Sequence, residues 1–250
     1  MNLADSQRAP GRPASGTELL GAAFDLFYTL IDMRHLPEAG STPDLLGIDP
    51  KVWSRQVMEL SPHHALGTET DPVESIRRIA HAIDPAIPLE KIRDAARARP
   101  ERFRAALLRP RPEVTAGLAR LRAAGLRLGL ISNAGLDEIE AWPESPLAPF
   151  FDAALFSCYE GVMKPDPEIY RRAATRLGVP LAQCLYVGDG GSQEHEGANA
   201  VGMPTVLMLG LLRRSYPEIA ATRPRITRWV VESFGDLVTL VERLRRDGLE

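Results

Sequence analysis

The sequence predicts an α/β protein, a doubly wound parallel sheet with an all-helical block inserted into it. Three observations lead there. Short apolar runs alternate with helical patterns along most of the chain, which is the signature of parallel strands joined by crossover helices. One stretch in the first half breaks that alternation and reads as helix alone. Finally, three apolar runs end on Asp25, Ser132 or Asp189, and open α/β sheets bind ligands at the carboxyl ends of their strands.

The elements follow in order. Residues 1–18 are rich in Pro, Gly, Ala and Ser with mixed charge, the composition of a disordered leader. LLGAAFDLF (19–27) is an apolar run that meets Asp25, as a buried strand would. KVWSRQVMEL (51–60), DPVESIRRIAHAI (71–83) and LEKIRDAARARPERFRAALL (89–108) carry apolar residues at helical spacing. RPRP (109–112) is a stiff boundary, and PEVTAGLARLRAAG (112–125) is an amphipathic helix stopped by Gly125. LRLGLIS (126–132), DAALFS (152–157), CLYVGD (184–189) and PTVLML (204–209) read as strands, and TRWVVES (227–233) as a last edge strand. PEIYRRAATRLGV (167–179) and GDLVTLVERLRRDG (235–248) read as helices. The expected division is a leader at 1–18, an α/β core at 19–36 and 112–250, and a helical cap at 37–111.

Composition narrows the function. The chain has 250 residues, 44% apolar and 25% charged, which is ordinary for a globular protein with one core plus an insertion. A net charge of −3 lacks the basic surplus of nucleic-acid binders. Cys158 and Cys184 provide neither a disulfide framework nor a metal-ligand cluster. No apolar run reaches the ~18 residues of a membrane span, and the N-terminus lacks the apolar stretch of a signal peptide. These features predict a soluble, reduced, cytoplasmic protein acting on a small molecule, with no nucleic-acid or membrane partner. Oligomeric state is not readable.

The strand ends suggest a chemistry. A carboxylate at Asp25 can attack an electrophile and form a covalent intermediate. Asp189, with Glu194 five residues on, can hold a hard cation through oxygen. Thr29, Ser132 and Asn133 are small donors for phosphoryl oxygens, and Lys164 supplies positive charge beside a nucleophile. Such a set suits phosphoryl transfer, in which cations offset charge on the equatorial oxygens.

Four segments, in order, resemble the motifs of the haloacid dehalogenase superfamily. FDLFYTL (24–30) is similar to its first motif, LISNAG (130–135) to the second, VMKPDPEIY (162–170) to the third and YVGDGGSQEHEGANAVGM (186–203) to the fourth. The helical insertion is similar to the family's C1 cap, and the resemblance covers roughly residues 21–245. It implies a Rossmann-type core with Asp25 as nucleophile, Lys164 stabilising it, and Thr29, Ser132 and Asn133 binding the transferred group. It also implies a Mg²⁺ site made by Asp25, the Phe27 backbone carbonyl, Asp189 and Glu194. The activity implied is Mg²⁺-dependent hydrolysis of a small phosphorylated metabolite through an aspartyl-phosphate on Asp25.

Two departures from the pattern keep other activities open. The family's phosphatases carry an Asp acid/base two residues after the nucleophile, where this chain has Phe27. Loss of general acid catalysis typically costs about 10²–10⁴-fold in rate. The usual Gly is Tyr28, whose ring can narrow the pocket or whose hydroxyl can act on substrate. One alternative is metal-independent dehalogenation of a 2-haloacid, since the family's dehalogenases also lack the second Asp. Another is a catalytically weak protein that binds a ligand. The pair Asp189/Glu194 favours the metal-dependent reading, because burying two carboxylates without a cation is costly. Elsewhere, His195 is expected on the surface or a helix face, His63 and His64 in a loop, and the Arg-rich stretch 93–111 on a solvated helix face.

Overall fold

The computed structural model describes residues 18–33, 40–60, 62–223 and 225–249. The expected leader lies outside these residues except for Glu18. Six strands, β1 (Gly21–Phe24), β2 (Arg127–Ser132), β3 (Ala153–Phe156), β4 (Cys184–Gly188), β5 (Thr205–Met208) and β6 (Trp229–Val231), form one sheet in the order β3-β2-β1-β4-β5-β6. Every neighbouring pair is parallel. The order reverses direction at β1, so the crevice at the carboxyl ends of β1 and β4 is the topological switch point, the usual ligand site of such sheets.

Apolar runs become central strands because both faces of the sheet are covered. Ala22 and Phe24 of β1 face one buried cluster with Leu128, Leu130, Leu185 and Val187. Ala23 faces the other, with Ile131 and Tyr186. The predicted strand at 19–27 ends early, at Phe24. Beyond it the backbone coils into a tight turn, in which the N–H groups of Leu30 and Ile31 both donate to the Leu26 carbonyl. One further ladder bond, Asp25 N–H to Val187 O (2.9 Å), holds Asp25 in line with the sheet.

Among the described residues, the helices between β1 and β2 on the cap side are α1 (Thr42–Leu46), α2 (Pro50–Leu60), α3 (Pro62–Ala65), α4 (Pro72–Ile83) and α5 (Leu89–Leu108). They carry a core of their own, including Leu46, Trp53, Ile76, Ile79, Ile92 and Ala95. Asp71 caps α4 by accepting from the N–H groups of Val73 and Glu74, with Pro72 as the first helical residue. α5 serves two cores, since its later residues Phe103, Ala106 and Leu107 pack into the main one.

The remaining helices flank the sheet: α6 (Pro112–Ala123), α7 (Leu136–Ile139), α8 (Ser157–Glu160), α9 (Pro167–Leu177), α10 (Glu194–Ala200), α11 (Gly210–Ser215), α12 (Pro217–Thr222) and α13 (Phe234–Asp247). The short ones were not anticipated, because fewer than two turns show no readable period.

Two expectations are corrected. The arginines of 93–111 divide: Arg93, Arg97 and Arg109 are exposed, as a solvated face would be, whereas Arg99 pairs with Asp137 and Glu138, Arg104 with Glu144, and Arg111 with Asp32, and Arg102 donates to the Met33 carbonyl. These four dock the helical insertion onto the sheet domain. His63 and His64 lie in α3, not in a loop, and His64 Nε2 is 2.9 Å from Asp137 Oδ1. No helix among the described residues is long and apolar enough to cross a membrane.

Candidate active site

Asp25 follows β1, Ser132 ends β2, and Asp189 follows β4. Parallel pairing in register therefore delivers these side chains to one edge of the sheet. Lys164 enters from the segment between α8 and α9, which Asn133 fixes in place. The Asn133 side chain accepts from Lys164 N–H (2.8 Å) and donates to the Lys164 carbonyl (2.9 Å). Asn133 thus holds the lysine segment rather than standing free in the cleft.

Lys164 is 2% exposed and joins three partners. Its Nζ lies 2.5 Å from Asp25 Oδ1 and 2.7 Å from Glu194 Oε2, and it donates to the Tyr186 hydroxyl at 3.1 Å. Thr29 donates to the other Asp25 oxygen (3.0 Å). Glu194 accepts from the Tyr186 hydroxyl (2.7 Å) and from Gly190 N–H (2.8 Å). Glu194 reaches this position across Gly188, where a Cβ would stand 2.1 Å from Glu194 Oε1. The absence of a side chain at Gly188 is therefore what admits the carboxylate. Asp189 accepts from Gly191 N–H (3.0 Å) and from the Arg223 guanidinium (2.9 Å). Ser132 Oγ is buried without a hydrogen-bond partner in the protein.

The electrostatics follow from burial. Burial pushes the Asp25 carboxyl up to about 7, against the opposing pull of Lys164. Burial, reinforced by Glu194, also raises Asp189. Glu194 is likewise desolvated, yet Lys164 and His195 outweigh that cost and hold it below the usual carboxylate value. Burial alone would depress Lys164, but the charges of Asp25 and Glu194 outweigh it and keep the amine protonated.

Ligand oxygens of Asp25, Asp189 and Glu194 all lie within 4.8 Å of one another, and all three residues are buried. Lys164 and Arg223 offset only part of this charge. Hard oxygen donors with a residual negative charge suit a small divalent cation, so the residues fit such an ion.

Some participants were missed by sequence reading. Tyr186 was taken as strand core, and Arg223 stands far along the chain in a region without a motif. Their only signals were the inward phase of Tyr186, three residues before Asp189, and none for Arg223. His195 is corrected: it lies on α10 but is buried, with Nε2 3.2 Å from the Val206 carbonyl, and it packs against Tyr186 with ring centroids 5.9 Å apart. Lys51 is exposed and pairs with Glu218 at 3.6 Å. Phe27 stacks edge-on against Phe103 of α5, ring centroids 5.2 Å apart. Tyr28 has φ +63°, the left-handed region that bulky side chains rarely adopt, and its ring meets Tyr216 at 5.7 Å.

The sequence pattern of the haloacid dehalogenase-like hydrolases matches residues 22–202. The glyceraldehyde 3-phosphate phosphatase of Methanocaldococcus jannaschii is 32% identical over 145 residues, 57% of this chain and 60% of that protein. The phosphoserine phosphatase of Thermus thermophilus is 35% identical over 108 residues, 43% of each chain. The match thus spans about half the length of these phosphatases. The (S)-2-haloacid dehalogenase H-109 of Pseudomonas putida is 26% identical over 216 residues, covering 83% of this chain and 93% of its own. In three dimensions, the L-2-haloacid dehalogenase of Xanthobacter autotrophicus superposes with a TM-score of 0.64 at 22% identity, over 90% of this chain and 98% of that one. That likeness shows the shared fold.

Proposed function

This chain belongs to the haloacid dehalogenase-like hydrolase family, and from that premise we propose that it is a Mg²⁺-dependent phosphatase of a small phosphorylated metabolite. The observation that carries this reading is the buried acidic triad Asp25, Asp189 and Glu194 built around Lys164. Three buried carboxylates against the two cations Lys164 and Arg223 leave a residual negative charge that a divalent cation would offset. The phosphatase names among the relatives support the same reading.

Each residue then has a task. Asp25 is the nucleophile, and Thr29 and Lys164 hold its oxygens in an attacking orientation. The unpartnered Ser132 hydroxyl binds a phosphoryl oxygen, and Asn133 secures the lysine segment. Asp25, the Phe27 carbonyl, Asp189 and Glu194, the last directly or through water, would hold the Mg²⁺. Bound there, Mg²⁺ would offset charge on the transferring phosphoryl group. Attack by Asp25 Oδ on phosphorus forms the aspartyl-phosphate and expels the leaving group, and water then releases phosphate. The helical insertion, residues 37–111, acts as the cap over a core made of 19–36 and 112–250, and its docking excludes water from the reaction.

The test is hydrolysis of p-nitrophenyl phosphate with and without EDTA, by wild type and Asp25→Asn. The reading expects turnover that both EDTA and the substitution abolish. Chelator-indifferent halide release from 2-chloropropionate, with no phosphate release, would instead establish the dehalogenase reading.

A further inference from the structure

The position two residues after Asp25 is apolar, and the structure shows what occupies the space around it. The Phe27 ring packs on Phe103 of α5 (5.2 Å). Behind Phe103, the Arg99 guanidinium lies over the same ring at 4.8 Å, and Arg99 in turn is held by Asp137 (2.9 Å) and Glu138. Asp137 also meets His64 of α3 (2.9 Å). Phe27 is thus the first member of a continuous stack, Phe27–Phe103–Arg99–Asp137–His64, that ties the nucleophile loop to the helical insertion. The side chain that stands where an acid/base would stand works as an anchor.

The titratable side chains that the described residues place around Asp25 are held by other partners. Lys164 is locked between Asp25, Glu194 and Tyr186. The oxygens of Asp189 and Glu194 accept from Gly191, Arg223, Lys164, Tyr186 and Gly190. His64 Nδ1 is 3.3 Å from the Ser75 hydroxyl, and its Nε2 is 2.9 Å from Asp137 Oδ1. His195 lies within the core at the Val206 carbonyl. The Tyr28 side chain is turned to Tyr216.

Resting on the phosphatase reading above, we infer that the substrates are phosphoryl compounds whose leaving group departs as a stable anion, namely acyl phosphates and phosphate esters of phenols, rather than alkyl phosphates. The step balances without an enzymic acid. Asp25 Oδ forms a bond to phosphorus as the bond to the leaving oxygen breaks, and that oxygen keeps the electron pair and leaves as R–O⁻. Water then attacks the aspartyl-phosphate at phosphorus, restoring the Asp25 carboxylate and releasing dihydrogen phosphate, which carries both protons of the water. An alkyl leaving group would have to depart as an unprotonated alkoxide, which is far less stable.

The experiment measures kcat/KM at fixed Mg²⁺ for acetyl phosphate, a series of substituted phenyl phosphates and ethyl phosphate, in wild type and Phe27→Asp. In wild type the rate falls steeply as the leaving group becomes more basic. Ethyl phosphate lags p-nitrophenyl phosphate by at least about 10²-fold, the lower end of what general acid catalysis supplies. Phe27→Asp narrows that gap by about tenfold or more, and its far-UV circular dichroism and thermal melt report whether the variant is folded. A flat wild-type profile overturns the inference while leaving the phosphatase reading intact. A steep profile that a folded Phe27→Asp leaves unchanged also overturns the role of Phe27. Should wild type hydrolyse none of these compounds, the phosphatase reading falls and this inference with it. If Phe27→Asp does not fold, the wild-type slope alone decides.

Discussion

Lys164 is the residue on which the charge balance of the site turns. It is buried with two carboxylates at ion-pair distance, and its pull on Asp25 opposes a burial cost that already raises that carboxyl to about 7. Lys164→Met removes the pull, so the Asp25 carboxyl moves higher. We expect kcat to fall by at least about 10²-fold as well, since a preorganised charge at the reacting centre is lost. A kcat within about tenfold of wild type would contradict this account. Gly188→Ala attacks the same site by volume: its Cβ would stand 2.1 Å from Glu194 Oε1. Displacing Glu194 should weaken Mg²⁺ binding by roughly 10–100-fold, measured by calorimetry rather than turnover.

At the scale of elements, α5 decides how the helical insertion meets the sheet domain. Its first half packs into the insertion's own core and its second half into the main one. Arg99 lies between the two and pairs with Asp137 of α7. Burial alone would raise Asp137, but hydrogen bonding with His64 and the charge of Arg99 outweigh it and hold the carboxyl below its ordinary 3.8. A carboxyl depressed in the folded state contributes stability above its unfolded value, and the contribution is lost as pH falls through the folded value. Asp137→Asn should therefore cost about 2 kcal/mol at neutral pH, less than a fully buried pair because the group keeps some solvent contact. The gap to wild type should close in acid, below about 3.8. Denaturant midpoints at neutral and acid pH measure it, and a gap constant across pH would rule out the ion pair as its source.

For the molecule as a whole, the sheet is the frame and α6 and α13 close one of its faces. Phe234 stacks on Phe24 of β1, ring centroids 6.1 Å apart. Helix α6 comes close enough that a Cβ at Gly117 would stand 2.2 Å from the Phe234 ring. Gly117→Ala should overpack this contact and destabilise the fold by about 1–3 kcal/mol. For a chain of this size that lowers Tm by roughly 2–4 °C per kcal/mol. Activity per folded molecule should hold, since Gly117 touches no site residue. A raised Tm would mean the face has room that the packing does not suggest.

Most of the sheet was legible from the residues alone. Uninterrupted apolar runs such as GAAF and CLYVG bury on both faces, and the polar residue that ends each run marks where the strand leaves the core. The four motifs named the family for a similar reason: Asp25, Ser132 and Asp189 each sit at or beside a strand end, so their order along the chain survives folding. What the one-dimensional pattern could not carry was contact between distant segments. Periodicity assigned all the arginines of 93–111 to solvent because it sees only one helix, which holds for Arg93, Arg97 and Arg109, whereas carboxylates on α7 and the segment after it meet Arg99 and Arg104 in the folded chain. His195 reads as polar, yet a carbonyl on β5 satisfies it inside the core. Arg223 joins Asp189 from 34 positions away. The sequence by itself determined the sheet, the carboxylate at the end of β1 and the family, because local hydrophobicity and short motifs encode them. Only the tertiary structure decided how the charges of the site are balanced and what stands beside Phe27, because those depend on which side chains folding brings within a few ångströms.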